Sequence, residues 1–200
     1  MAGIIYGTTI TNCYSAGTIY AYCTYYAEAG GLVGEISGST LSNCYSTASA
    51  TAHANGNIIK AGGVAGNLLR STISNCYATG YVTTNKNNSS TGGVAGGIVG
   101  DLYLSTVSNC AALNLGIVSQ GQYGRVVGRF EGYGAGTVIS NIAFTYMINP
   151  AGNTTWNHIG ASDRDGENIS CEEIHTNSTL GNRFTSENGW ITENDKCGNV

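Results

Sequence analysis

Four copies of one short pattern constrain this chain more than any other feature. They read Thr8-Thr9-Ile10-Thr11-Asn12-Cys13-Tyr14, Ser39-Thr40-Leu41-Ser42-Asn43-Cys44-Tyr45, Ser71-Thr72-Ile73-Ser74-Asn75-Cys76-Tyr77 and Ser105-Thr106-Val107-Ser108-Asn109-Cys110-Ala111. A degenerate fifth reads Thr137-Val138-Ile139-Ser140-Asn141-Ile142-Ala143. Aligned on the residue after Asn, with Ile142 in the place of Cys, the copies lie 31, 32, 34 and 32 residues apart. A near-constant period in this range means stacked supersecondary units, because one unit cannot bury its apolar edge alone but a pile of them can.

Within each copy the polar, apolar, polar order has the two-residue period of a strand. It predicts Ile10, Leu41, Ile73, Val107 and Ile139 pointing inward with Thr and Ser outward. A bend at Asn then returns Cys13, Cys44, Cys76, Cys110 and Ile142 to the same core. The Asn column, Asn12, Asn43, Asn75, Asn109 and Asn141, is expected to form an amide ladder along the stacking axis. The chain has 30 Gly, a single Pro and only 20 charged residues among its 200, a composition suited to strands and tight turns rather than long helices.

A second element precedes the core copies: Gly30-Gly31-Leu32-Val33-Gly34, Gly62-Gly63-Val64-Ala65-Gly66 and Gly96-Gly97-Ile98-Val99-Gly100, with a weaker echo at Arg125-Val126-Val127-Gly128. Together with the Tyr14-Ser15-Ala16-Gly17 type of segment, these elements resemble the GLUG motif repeat of bacterial surface proteins, which also accompanies some immunoglobulin A peptidases. The resemblance covers about residues 3–146 and implies an all-β, parallel β-solenoid of an adhesin-like or cell-wall-associated protein. It does not imply a peptidase, since the motif only accompanies such catalytic domains.

The expected architecture is therefore a β-helix of about five coils over residues 1–149, followed by a C-terminal capping or packing segment over 150–200. After Asn149-Pro150 the repeat stops and the composition turns acidic: residues 1–160 carry four acids and five bases, residues 161–200 eight acids and three bases. Ser170 and Glu173 have capping-box spacing and predict a short helix near 171–177. Phe184 and Trp190 read as apolar anchors, and Asp163-Arg164-Asp165-Gly166 as an acidic turn whose Gly comes too early for an EF-hand.

Composition excludes several functions. Lys60, Arg70, Lys86, Arg125 and Arg129 are too few and scattered for a nucleic-acid surface. No apolar run reaches the ~20 residues that cross a bilayer, and the start lacks the basic and apolar regions of a signal peptide. The expectation is a piece of an extracellular or cell-surface protein. Glu28, Glu35, Asp101 and Glu131 do not recur in one column, His53, His158 and His175 lack metal or triad spacing, and no GxSxG or HExxH occurs. The chain is read as no enzyme, with no cofactor and no metal.

Four cysteines in one inward column point the same way, which is poor disulfide geometry, so they read as small buried hydrophobes. Cys171 and Cys197 are the one pair placed to tie down the tail. The connections between core copies, residues 18–29, 48–61 and 83–91, read as variable loops on one face. Tyr20, Tyr22, Tyr25 and Tyr26 are the candidate ligand-binding residues, for a glycan or surface protein, because aromatic rings give flat apolar area with a polar handle. Tyr14, Tyr45 and Tyr77 read instead as an outer stack. Assembly into filaments, ice binding through the Thr and Ser columns, and polysaccharide cleavage are the alternative functions.

Overall fold

The computed structural model describes residues 2–56, 58–86, 92–132, 136–176, 179–181, 183–188 and 190. They form a parallel β-solenoid whose coils each pass through five sheets in turn. Sheet A stacks Ala2–Tyr6, Val33–Ser37, Ala65–Leu69, Val99–Tyr103 and Val127–Phe130; sheet B stacks Thr9–Thr11, Thr40–Ser42, Thr72–Ser74, Thr106–Ser108 and Thr137–Ile139. Sheet C stacks Tyr14–Ser15, Tyr45–Ser46, Tyr77–Ala78, Ala111–Ala112, Ile142–Phe144 and finally Glu167–Ile169. Sheet D holds Thr18–Cys23, Ser49–Ala54, Val82–Lys86 and Ile117–Val118; sheet E holds Tyr26–Gly30, Ile58–Gly62, Val94–Gly96 and Gln122–Gly124. Four coils are complete, and a fifth runs only through sheets A, B and C.

The register is the one the repeat demands. Ile10 pairs with Leu41, Leu41 with Ile73, and Ile73 with Val107, and the last three are fully buried. Each residue stacks on its own equivalent, so one apolar position yields a continuous rib of core. The segments 18–29 and 48–61 are not loops but the strands of sheets D and E. Their inward residues are mostly alanines, Ala50, Ala52 and Ala54 among them, all completely buried; small side chains carry the strand period without a strong apolar signal.

The corner between sheets B and C is set by asparagine. Asn12, Asn43, Asn75 and Asn109 all have φ between 51° and 56°, the left-handed region that Asn tolerates better than other side-chain-bearing residues. The amide ladder is partial: Asn75 Nδ2 donates to Asn43 Oδ1 at 3.3 Å, and no other rung occurs among the described residues.

The fifth copy corrects the alignment by one residue. Val138, not Ile139, pairs with Val107 and turns inward, while Ile139 faces solvent. Ser140 takes the left-handed corner at φ 55°. Asn141 consequently falls in the cysteine column and leaves the asparagine column. It is fully buried there, accepting from Cys110 N and donating to Val107 O, both at 2.9 Å. Chemical likeness of the letters concealed a shift that burial makes plain.

Cys44, Cys76 and Cys110 are buried as expected, each thiol donating to the carbonyl two residues before it. Cys13 is exposed, because it belongs to the first coil and has a neighbour on one side only. Burial pushes the Cys76 thiol well above the ordinary thiol range. Cys171 is exposed at the start of the tail helix; Cys197 lies outside the described residues.

The glycine pairs mark close approach. A Cβ on Gly63 would run into the carbonyl oxygen of Gly97 in the next coil and come 2.6 Å from Ala78 Cβ. Gly31, Gly63 and Gly97 form this column, and Arg125 ends it. No further glycine corner stacks on Arg125, so its side chain has room to turn into the end of the core, where it is fully buried. Its guanidinium donates to Gly166 O at 2.9 Å and Asn168 Oδ1 at 2.8 Å, and its backbone N to Asp165 Oδ1 at 2.9 Å. Val126 and Val127 donate to Arg164 O, and buried Trp156 donates from Nε1 to Met147 O at 3.0 Å. Residues 150–169 thus close the last coil.

The described residues beyond 169 include two that pack on the outer side of sheet C. Ser170 and Glu173 exchange the two hydrogen bonds of a capping box and start the helix Cys171–Thr176. Tyr14, Tyr45 and Tyr77 stack at 5.3 and 4.9 Å, and Phe184 and Trp190 pack on Tyr77 at 5.5 and 5.7 Å.

Candidate functional site

The first coil carries most of the exposed aromatic surface. Tyr20 and Tyr22 alternate with inward Ile19 and Ala21 on Thr18–Cys23, which directs both rings outward from sheet D. His53 sits opposite Tyr22 on the adjacent strand. Tyr20 Oη lies 3.1 Å from His53 Nδ1, and the Tyr22 and His53 rings are 5.2 Å apart, so one imidazole joins two phenols. His53 Nε2 is buried without a partner among the described residues. Tyr25 occupies the turn into sheet E and Tyr26 opens that sheet's first strand.

All four tyrosines are 59–68 % exposed. Among the described residues no ring contact joins Tyr25 or Tyr26 to the Tyr20–His53–Tyr22 group, so the structure brings together two of the four and leaves the others further along the same coil. Ile4, Tyr6 and Tyr14 are exposed on this coil too. The rings offer stacking faces and hydroxyls to a flat partner.

A second polar site lies where sheets A and E meet. The four acids do not form one column, but two of them, Glu35 and Asp101, share a column with Asn67 and Arg129, each paired in register with the next. Sheets A and E turn their outer sides toward one another, and Glu28 and Lys60 from sheet E meet that column. Lys60 Nζ lies 3.0 Å from Asp101, 3.6 Å from Glu28 and 3.8 Å from Glu131. Arg129 grips Asp101 with Nε and Nη2, and Asn67 Nδ2 donates to Glu28 at 3.0 Å and Glu35 at 3.2 Å. All four carboxylates of the solenoid converge on this crease.

Its two ends differ electrostatically. Burial pushes Asp101 up, but Arg129 and Lys60 outweigh it and hold the carboxyl below its ordinary range. Burial, reinforced by Glu35 and opposed by Lys60, pushes Glu28 up to about 7. Among the described residues no three or more His, Cys, Asp or Glu side chains form a group that could hold a metal. This crease is invisible in the sequence, because residues of two different sheets build it.

The hydroxyl columns of sheet B are in register, Thr9 through Thr137 and Thr11 through Ser108, but the second ends in Ile139. Such columns follow from the stacking itself.

The family model of the GLUG motif matches residues 25–51 and 60–84. Each match runs from a strand of sheet E around the glycine corner, through sheets A, B and C, and into sheet D: it is one coil. A crystal structure from Bacteroides ovatus, provisionally described as an immunoglobulin A1 protease, is similar with a TM-score of 0.67 and 27% identity. The similarity covers 88% of this chain and 53% of that one, so this chain spans about half its length. The curated proteins hold no match to it.

Proposed function

We propose that this chain, a β-solenoid that carries the GLUG motif twice, is a non-catalytic module of a bacterial surface protein and presents its first coil to a glycan or protein partner. The observation that carries this reading is the set of four tyrosines, all more than half exposed on one coil. Two histidines make structural contacts: His53 Nδ1 faces Tyr20 Oη, and His175 Nδ1 lies 2.6 Å from Cys171 O. No helix among the described residues is long and apolar enough to cross a membrane.

The test is alanine replacement of Tyr20, Tyr22, Tyr25 and Tyr26 together, with binding measured on glycan arrays and on immobilised host proteins, immunoglobulin A1 included. Loss of binding with an unchanged circular dichroism spectrum is the expected result. Unchanged affinity removes the proposal.

One observation favours a second reading, polysaccharide hydrolysis. Glu28 and Glu35 meet at Asn67, and Glu28 is raised to about 7 beside that second carboxylate, so a proton donor and a carboxylate lie side by side. Release of reducing ends from a polysaccharide, abolished in Glu28→Gln, would put this reading first; no release leaves the binding module.

A further inference from the structure

At the closed end of the solenoid, Arg164 separates two clefts. One, of about 270 Å³, has Phe130, His158 and Asp163 in its wall; the other, of about 250 Å³, is walled by Gln122, Tyr123, Thr155, Trp156, Asn157 and Asp165. Arg164 lines both. Its backbone carbonyl is committed to Val126 and Val127, yet its guanidinium has no hydrogen bond or ion pair among the described residues, and Nε is buried without a partner. A buried guanidinium nitrogen left unpaired is costly unless something supplies the acceptor.

The neighbouring acids do not supply it. Asp165 is buried with Oδ1 taken by Arg125 N at 2.9 Å and Oδ2 by His158 N at 3.1 Å. Exposed Asp163 in the wall of the Phe130 cleft makes that side unfavourable to an anion; Asp165 lines the other cleft, but both its oxygens are held by backbone N–H groups. The Arg164 stem is seated on sheet E: a Cβ on Gly124 would come 2.9 Å from Arg164 Cγ, so the glycine leaves room for it. The cation is therefore positioned, partly desolvated and unpaired, beside a cleft of aromatic and amide groups in which the carboxylate of Asp165 is already paired.

We infer that the Tyr123–Trp156 cleft binds an acidic sugar residue, its carboxylate on the Arg164 guanidinium. A planar guanidinium matches a carboxylate through two parallel hydrogen bonds. The Gln122 and Asn157 amides and the Thr155 hydroxyl are the right groups for ring hydroxyls, and the half-buried Tyr123 ring is the apolar surface for the ring carbons, with Trp156 buried against it. The volume falls below the roughly 300–1,000 Å³ of drug-sized sites, which suits one sugar ring rather than a long chain segment. This site stands at the opposite end of the solenoid from the four tyrosines, so either can fail without the other.

The experiment is a titration of the full chain with glucuronate, galacturonate, glucose and acetate, followed through the Trp156 indole resonance in nitrogen–proton correlation spectra. A saturable shift with at least one uronate, and none with glucose or acetate, is expected. Arg164→Gln should weaken it by about tenfold or more, the loss of one charge-assisted contact. Arg164→Lys, which keeps the charge but not the fork, should fall between. Wild-type resonances elsewhere in both variants verify the fold. No saturable shift with either uronate, an equal shift with acetate, or uronate affinity unchanged in Arg164→Gln each overturns the inference.

Discussion

At the scale of single residues, the asparagine corner separates two explanations of one column. If the left-handed backbone is what selects Asn, Asn75→Gly should be close to neutral, while Asn75→Ala should cost about 1 kcal/mol, the usual penalty of a Cβ in that region. If the amide rung to Asn43 dominates, the two variants should lose equal stability in urea denaturation. The φ of 51° at Asn75, and the presence of Ser140 at the same corner with φ 55°, favour the first outcome. Serine cannot extend an amide ladder, yet the corner forms.

At the scale of elements, sheets A and E carry the buried charges. Asp101 is completely buried between Lys60 and Arg129, so Asp101→Asn leaves two cations short of a partner and should destabilise the fold by about 3–5 kcal/mol. Glu28 works in the opposite sense. Its folded pKa near 7 exceeds the ordinary 4.5, so the folded chain holds more protons than the unfolded one between those values. Its contribution is fully present below about pH 4.5 and is lost as pH rises toward 7. Denaturation midpoints should fall across that window, and Glu28→Gln should flatten the fall; an unchanged slope would exclude Glu28 as its source.

How much of this could be read in advance follows from the same elements. In-register stacking writes each core position once per coil, so the period, the Leu41–Ile73–Val107 rib and the buried thiols were legible. Sheets D and E were not, because alanine fills their inward positions and the strand period loses its contrast. The crease was not legible either: Glu28 and Glu35 lie on outward positions of neighbouring strands, and only the turn at the glycine corner encloses them. Tyr20 and Tyr22 were visible as exposed aromatics, but their link through His53 depends on the register between two coils. Arg125 looked like a decayed glycine motif, whereas its departure from Gly is what closes the end of the core.

At the scale of the whole molecule, the two ends of this solenoid differ. The first coil has open strand edges and exposed rings; the last is covered by Arg125, Trp156 and residues 150–169. Fluctuation should follow that asymmetry, because strands with one neighbour open at lower cost than strands with two. Residue-resolved hydrogen exchange of the free chain tests it most directly. Slow exchange is expected for the middle coils and equally for the Val126 and Val127 amides held by Arg164 O, with fast exchange along the outer edge of residues 2–30. Exchange at Val126 and Val127 as fast as in the first coil would contradict it, and with it the picture of a closed end opposite an aromatic one.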